Sequence, residues 1–264
     1  MPPILLDGGM GTALWQRSAR RSLPCLLNTE EPELVFSLHR EFRSAGAQIL
    51  LSNTFCAHAQ ALPKDGPSPE EVVTAGVSLA KQAAGNGAVA LSMGPPFSPL
   101  SPEELPELYA SPLAAGVRAG ADLILFETFT DARLLAAAVT FARSFGVPVF
   151  ASLTFSKNGK TPAGQTPEEA LSLLLPDPPD AVGINCSDGS ASALPLIRRF
   201  REQTDLPLLF KPNTGLSDAS LSPEAFAEAL LPAASFVSYL GGCCGASPAH
   251  IKALHDRLSR LPEK

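Results

Sequence analysis

The sequence contains no run of basic residues, and its 264 residues carry a formal net charge of −6. A nucleic-acid partner would require clustered Lys and Arg against its phosphates. An anionic membrane surface would require the same, so neither partner is expected. No uninterrupted apolar stretch approaches the ~20 residues of a membrane-spanning helix. The start, Met1-Pro2-Pro3-Ile4-Leu5-Leu6-Asp7, lacks the basic residues and apolar length of a secretory signal, so a cytoplasmic location is expected. Cysteine is scarce: five residues in all, two of them adjacent. An odd and partly adjacent set is a poor disulfide framework and fits metal binding or catalysis in a reducing compartment. There is no internal repeat, low-complexity segment or visible domain boundary. Proline is plentiful, with 26 residues. Many stand at helix starts, which indicates short, stiff connections rather than disorder.

Apolar runs and helical patterns alternate along the chain. Short apolar runs at about 4–6, 48–52, 88–92, 122–126, 147–153, 181–184, 206–210 and 235–240 read as strands. Amphipathic or capped stretches follow each of them. Residues 32–45 place Leu34, Val35, Leu38 and Phe42 on one face. Ser68-Pro69-Glu70-Glu71 and Thr166-Pro167-Glu168-Glu169 are capping-box helix starts. Pro106 and Pro112 are expected to break the helix that opens near 101–104. Residues 13–31 and 56–68 read as long loops. Continuous apolar strands belong to a parallel sheet covered on both faces. Eight strand–helix units in about 250 residues point to one (β/α)8 TIM barrel spanning 1–264, with an open doubly wound sheet as the structural alternative.

In such a barrel every strand ends on one rim, where active sites are built. The strand ends then become neighbours: Asp7, Glu127, Cys186, Asn213, and the turn Gly241-Gly242-Cys243-Cys244-Gly245. Glycines allow that turn to aim both thiols at one point. Cys186 and the Cys243–Cys244 pair lie at second-neighbour strand ends. Three thiols without an obvious fourth ligand match an open zinc site, with one position left for water or substrate. Two other readings of the turn stand beside this one: a vicinal-disulfide or structural turn, and the phosphate loop common in barrels. Cys25 and Cys56 show no partner pattern.

The motifs Asp7-Gly8-Gly9-Met10-Gly11-Thr12, Ser52-Asn53-Thr54-Phe55, Glu127-Thr128-Phe129, Gly183-Ile184-Asn185-Cys186, Pro212-Asn213-Thr214-Gly215 and Gly241-Gly242-Cys243-Cys244-Gly245 occur in this order. Together they resemble the homocysteine S-methyltransferase family, from residue 4 to about 261. The doubled cysteine with a preceding Asn-Cys is the specific element. The resemblance implies a (β/α)8 barrel in which Cys186, Cys243 and Cys244 bind Zn2+ and the homocysteine sulfur enters as fourth ligand. Zinc would deprotonate that thiol, since the thiolate is the nucleophile, and methyl transfer would give methionine. By the same resemblance Asp7 and Glu127 hold the substrate's amino group. The turn amides of Gly8, Gly9 and Gly11 meet its carboxylate or position Asp7, and Asn185 and Asn213 orient the ligand loops.

The methyl donor is the open question. No folate-binding or cobalamin-binding module is visible, so a stand-alone enzyme using S-methylmethionine or S-adenosylmethionine is expected. The alternative is a homocysteine-activating module that takes methyl from a corrinoid protein in trans. A non-catalytic zinc- or thiol-binding barrel is the rival from another class. Phe55, Phe97, Phe129 and Phe155 follow strands two to five, and Trp15 lies in the first loop. They form either a cage for a cationic donor or simple packing of the loops.

Overall fold

The computed structural model describes residues 2–20, 22–187, 189–215 and 220–261. The chain begins with β1 (Ile4–Leu5), α1 (Met10–Arg17), α2 (Leu27–Glu30), α3 (Pro32–Ser44) and β2 (Ile49–Leu51). Then come α4 (Pro69–Ala84), β3 (Ala88–Met93), α5 (Leu105–Arg118), β4 (Leu123–Phe129), α6 (Ala132–Ala142) and β5 (Val149–Leu153). The remainder is α7 (Pro167–Leu174), β6 (Ala181–Cys186), α8 (Ser190–Gln203), β7 (Leu208–Pro212), α9 (Pro223–Leu230), β8 (Tyr239–Leu240) and α10 (Pro248–Leu258). All strand pairs are parallel, in the order β1-β8-β7-β6-β5-β4-β3-β2. A parallel bridge between Leu6 and Ile49 joins the two ends. The fold is a (β/α)8 barrel, as the strand count predicts.

Helix starts follow local chemistry. Ser68 and Thr166 accept from the backbone N–H groups of Glu71 and Glu169, whose side chains bond back to the cap N–H. These reciprocal bonds satisfy donors that a helix leaves unpaired at its start. Two expectations are corrected. The stretch after β1 is not an open loop, since it carries α1, a 3-10 turn at Pro24–Leu26, and α2. Nor do the prolines break α5: Pro106 sits in its first turn and Pro112 lies inside an unbroken helix, buried against the barrel. In the first turn a missing N–H costs no helical bond, and at Pro112 burial offsets the single bond lost.

The eight strands divide two cores. Between sheet and helices lie Leu50, Val89, Leu91, Ile124, Phe126, Val182, Ile184 and Phe210, packed against helix residues such as Val35, Val73, Leu135 and Ile197. Inside the barrel lie Leu6, Ile49, Leu51, Ala90, Leu123, Leu125, Phe150, Ala181 and Leu209. Each buried leucine adds roughly 2 kcal/mol of hydrophobic stabilisation. Side chains on a strand alternate faces, so the residue two beyond an interior position is interior again. Counting on from Ala90, Leu125, Phe150 and Leu209 gives Ser92, Glu127, Ser152 and Lys211, and the next step from Gly183 gives Asn185; all five are buried. The lumen is thus apolar below and polar at the C-terminal rim.

Gly183 on β6 pairs with Leu209 on β7. A Cβ added there would fall 1.8 Å from the Leu209 carbonyl oxygen, so the two strands could not keep their spacing. Gly183→Ala is expected to lower unfolding stability by about 3 kcal/mol or more. Urea unfolding followed by circular dichroism measures this, and an unchanged midpoint would show that β6 and β7 are not packed this closely.

Candidate active site

The polar rim opens into a cavity of about 450 Å³ lined by the loops after β1, β2, β3 and β8 and by the C-terminal ends of β4, β6 and β7. On one side Cys186 ends β6, and Cys243 and Cys244 occupy the turn after β8. Sγ of Cys186 lies 3.1 Å from that of Cys243 and 3.6 Å from that of Cys244. All three sulfurs lie within 4.8 Å of one another. A tetrahedral ion with sulfur bonds of about 2.3 Å sets its sulfurs about 3.8 Å apart, so the cluster fits such an ion with sub-ångström adjustment. Among the described residues this is the one group of three or more His, Cys, Asp or Glu ligand atoms placed to hold a metal.

The backbone is strained where these ligands are aimed. Thr128, Cys186 and Ser187 adopt φ of 63°, 53° and 56°, the left-handed region that side chains resist at a cost of order 1 kcal/mol or more each. Hydrogen bonds hold these residues there. Asn185 Oδ1 accepts from the Thr128 N–H at 2.7 Å and from Ser152 Oγ at 2.7 Å. Its Nδ2 donates to Thr128 Oγ1 at 2.6 Å and faces Cys243 Sγ at 3.7 Å. Asn213 donates its backbone N–H to the Cys186 carbonyl at 3.1 Å and its Nδ2 to the Ser187 carbonyl at 2.8 Å. Both asparagines therefore touch the chain that carries the thiols.

The glycines after β1 make room for the cysteine turn. A Cβ at Gly8 would lie 2.2 Å from the Ala246 carbonyl oxygen, and one at Gly9 would lie 2.6 Å from that of Cys243. The Gly9 N–H already donates to Ala246 O at 2.8 Å, so it is committed to this contact and not open to a ligand carboxylate. Gly11 and Thr12, in the first turn of α1, line the cavity where helical N–H groups lack intrahelical partners.

Two buried carboxylates stand in the same region, Glu127 within electrostatic reach of Cys243. Asp7 Oδ2 accepts the Leu51 N–H at 2.8 Å, while Oδ1 has no hydrogen-bond partner. Glu127 accepts from Ser92 Oγ. Between them lies Lys211, 1% exposed, with Nζ 3.7 Å from Asp7 Oδ1 and 3.7 Å from Glu127 Oε2. Burial pushes the Asp7 carboxyl up to about 7, against the opposing pull of Lys211. Burial also raises Glu127, helped by Cys243 and opposed by Lys211. For Lys211 burial works to lower its pKa, but Glu127 and Asp7 outweigh it and the net shift is upward. Among the thiols, Cys244 is held far below the ordinary range by hydrogen bonds from Cys186 and Cys243. Cys186, bonded to Cys243 and Cys244, is held above it.

Sequence reasoning passed over one residue, read a cysteine pair as unpartnered and left the role of the aromatics open. Lys211 follows Leu208-Leu209-Phe210, and a charge inside a continuous apolar strand is the signal that could have found it. Cys25 and Cys56, read as unpartnered, meet across the cavity wall with sulfurs 3.1 Å apart. That hydrogen bond holds Cys25 above the ordinary thiol range and Cys56 below it. The aromatic ring is only half formed: Phe55 and Phe97 line the cavity, whereas Phe129 packs on Phe126 at 5.7 Å and Phe155 on Phe200 at 6.0 Å. Trp15 is exposed and donates to the Ser22 carbonyl at 3.4 Å.

Known proteins match this chain over nearly its whole length. A methionine synthase of Mycobacterium tuberculosis is 30% identical over 299 aligned positions, covering 98% of this chain; the chain spans 25% of that relative's length. The homocysteine methyltransferase MmuM of Escherichia coli, in its apo form, superposes with a TM-score of 0.81 at 26% identity, covering 97% of this chain and 96% of that one. The metallated form of the same enzyme gives a TM-score of 0.83 at 23% identity with the same coverage, a likeness of fold. The family model described as homocysteine S-methyltransferase matches residues 4–258. That span takes in all eight strands, the three clustered thiols and the buried Asp7, Glu127 and Lys211, and the chain belongs to the homocysteine S-methyltransferase family.

Proposed function

We propose that the chain transfers a methyl group to the thiol of homocysteine, giving methionine, with zinc held by Cys186, Cys243 and Cys244. The single observation carrying this reading is the convergence of three thiols on one cavity that Glu127 and Lys211 also line, with Asp7 buried behind Lys211. When bound by these three thiolates, zinc would keep an added thiol ionised and nucleophilic near neutral pH. The chain's own residues do the rest. Asp7 Oδ1, which lacks a donor, and Glu127 accept hydrogen bonds from the substrate's amino group. Gly11 and Thr12, at the start of α1, present N–H groups to its carboxylate. Asn185 and Asn213 hold the strained backbone on which the thiols sit. Phe55, Phe97, Met10 and Leu23 give the cavity an apolar wall that keeps water from the donor's methyl carbon. The homocysteine sulfur attacks that carbon in line, and the donor leaves with its bonding pair.

The whole of 1–264 acts as this homocysteine-binding domain. A small sulfonium donor, S-methylmethionine or S-adenosylmethionine, is favoured by Phe55 and Phe97 on the cavity wall, because aromatic faces attract such cations. The second reading, methyl delivery by a corrinoid protein in trans, draws on the match to a quarter of a methionine synthase. None of the described helices is long and apolar enough to cross a membrane, and thiolate ligands suit the reducing cytoplasm, where we place the protein. Metal content and methionine formation across S-methylmethionine, S-adenosylmethionine, betaine and methylcobalamin test the function. One zinc per chain with turnover on a sulfonium supports the first reading. Turnover on methylcobalamin alone supports the second, and a metal-replete protein silent on every donor refutes the first.

Two variants test the residue assignments. Cys243→Ala is expected to lose bound zinc and to lower kcat/KM by about 10³-fold or more; full activity would end the mechanism. Glu127→Gln should retain zinc while raising KM for homocysteine by about 10- to 100-fold, as read by steady-state kinetics beside metal analysis. Zinc loss in that variant would instead place Glu127 among the groups that hold the metal.

A further inference from the structure

An acid pair that serves only to receive a substrate's ammonium needs no resident cation. This one has Lys211. Its position on β7, two residues beyond the interior Leu209, commits its side chain to the lumen. It lines the cavity and stands at equal distance, 3.7 Å, from Asp7 Oδ1 and Glu127 Oε2. A strut tying the two acids together would donate hydrogen bonds at about 2.8 Å. At 3.7 Å both contacts are ion pairs outside hydrogen-bond distance, so Lys211 supplies charge rather than a fixed link. A second ammonium entering the same niche meets its repulsion, which the buried surroundings of Asp7, Glu127 and Lys211 screen weakly.

We propose that Lys211 is a specificity-determining residue for the acceptor. Its ammonium offsets one of the two carboxylate charges of the Asp7–Glu127 pair from within the barrel, so the site takes mercapto-carboxylates lacking an amino group alongside the amino-acid thiol. The proposal rests on the thiol-methylation reading given above. The open hydrogen bond at Asp7 Oδ1 is what a substrate amino group still gains. The preference for that group is therefore reduced rather than reversed. The recognised features become the thiol, held at the cysteine cluster, and the carboxylate, met by the N–H groups at the start of α1.

The test compares binding of homocysteine with that of 4-mercaptobutyrate, its analogue without the amino group. Isothermal titration calorimetry on the zinc-loaded protein reads both, for wild type and for Lys211→Met. Wild type is expected to bind the two thiols within about tenfold of each other, whereas Lys211→Met should favour homocysteine by about 100-fold or more, because the acid pair then depends on the ligand's ammonium. Zinc content and thermal unfolding establish that the variant is folded, and the wild-type comparison stands without it. A preference for homocysteine of about 100-fold or more in wild type, or the same ratio in both proteins, would overturn the proposal. If neither thiol binds the zinc-loaded wild type, the methyl-transfer reading fails and this proposal fails with it.

Discussion

The barrel closes on itself at its weakest seam, between β1 and β2, and side chains hold that seam together. β1 has only two residues. Its Leu5 donates to the Gln48 side chain at 3.0 Å, the Gln48 N–H donates to the Leu5 carbonyl at 2.7 Å, and the Leu51 N–H ends on the Asp7 carboxylate at 2.8 Å. Asp7 thus replaces a missing rung of the sheet with one oxygen and turns the other toward Lys211. Closure and site share one residue. A parallel barrel converges its strand ends only if the seam is shut, so the whole rim depends on this contact.

Convergence has an energetic cost, and the structure concentrates it in a small volume. Two carboxylates, one ammonium and three thiols lie in or beside the lumen. Unpaired, each charge would be expensive there. Held near one another, they offset part of the loss while shifting one another's proton affinities. The left-handed φ values at Thr128, Cys186 and Ser187 add backbone strain at the same place. Strain and buried charge concentrated in one place are what a pre-organised site carries. The helix layer and apolar lower lumen supply the stability that offsets it.

Much was legible in the chain itself. Apolar runs alternating with capped helices gave eight strand–helix units because parallel strands buried on both faces cannot display a polar side. The Gly-Gly-Cys-Cys-Gly turn and the earlier Asn-Cys carried their own chemistry: only thiols bind soft metals so densely, and only glycine fits where the turn presses on the loop after β1. The placement of Asp7, Glu127, Asn185 and Asn213 near the thiols followed from barrel topology, since every strand ends on the same rim.

Other features depended on contacts between residues far apart in sequence, and no local pattern reveals those. Whether Lys211 turns inward is set by the register of β7, and its partners come from β1 and β4, 204 and 84 residues away by number. Cys25 and Cys56 meet because the segment before α2 folds over the loop after β2, where Asn28 Nδ2 donates to the Asn53 carbonyl at 2.9 Å and Asn53 Nδ2 to Asn28 Oδ1 at 3.0 Å. Phe129 and Phe155 follow strand ends just as Phe55 does, yet they point into the helix layer. The sequence by itself determined the eight strand–helix units and their order and marked the thiols as candidate metal ligands, because periodicity, caps and residue type are local. Tertiary structure alone decided which charges share the lumen and which rings face the cavity, because those depend on strand register and loop packing across the closed barrel.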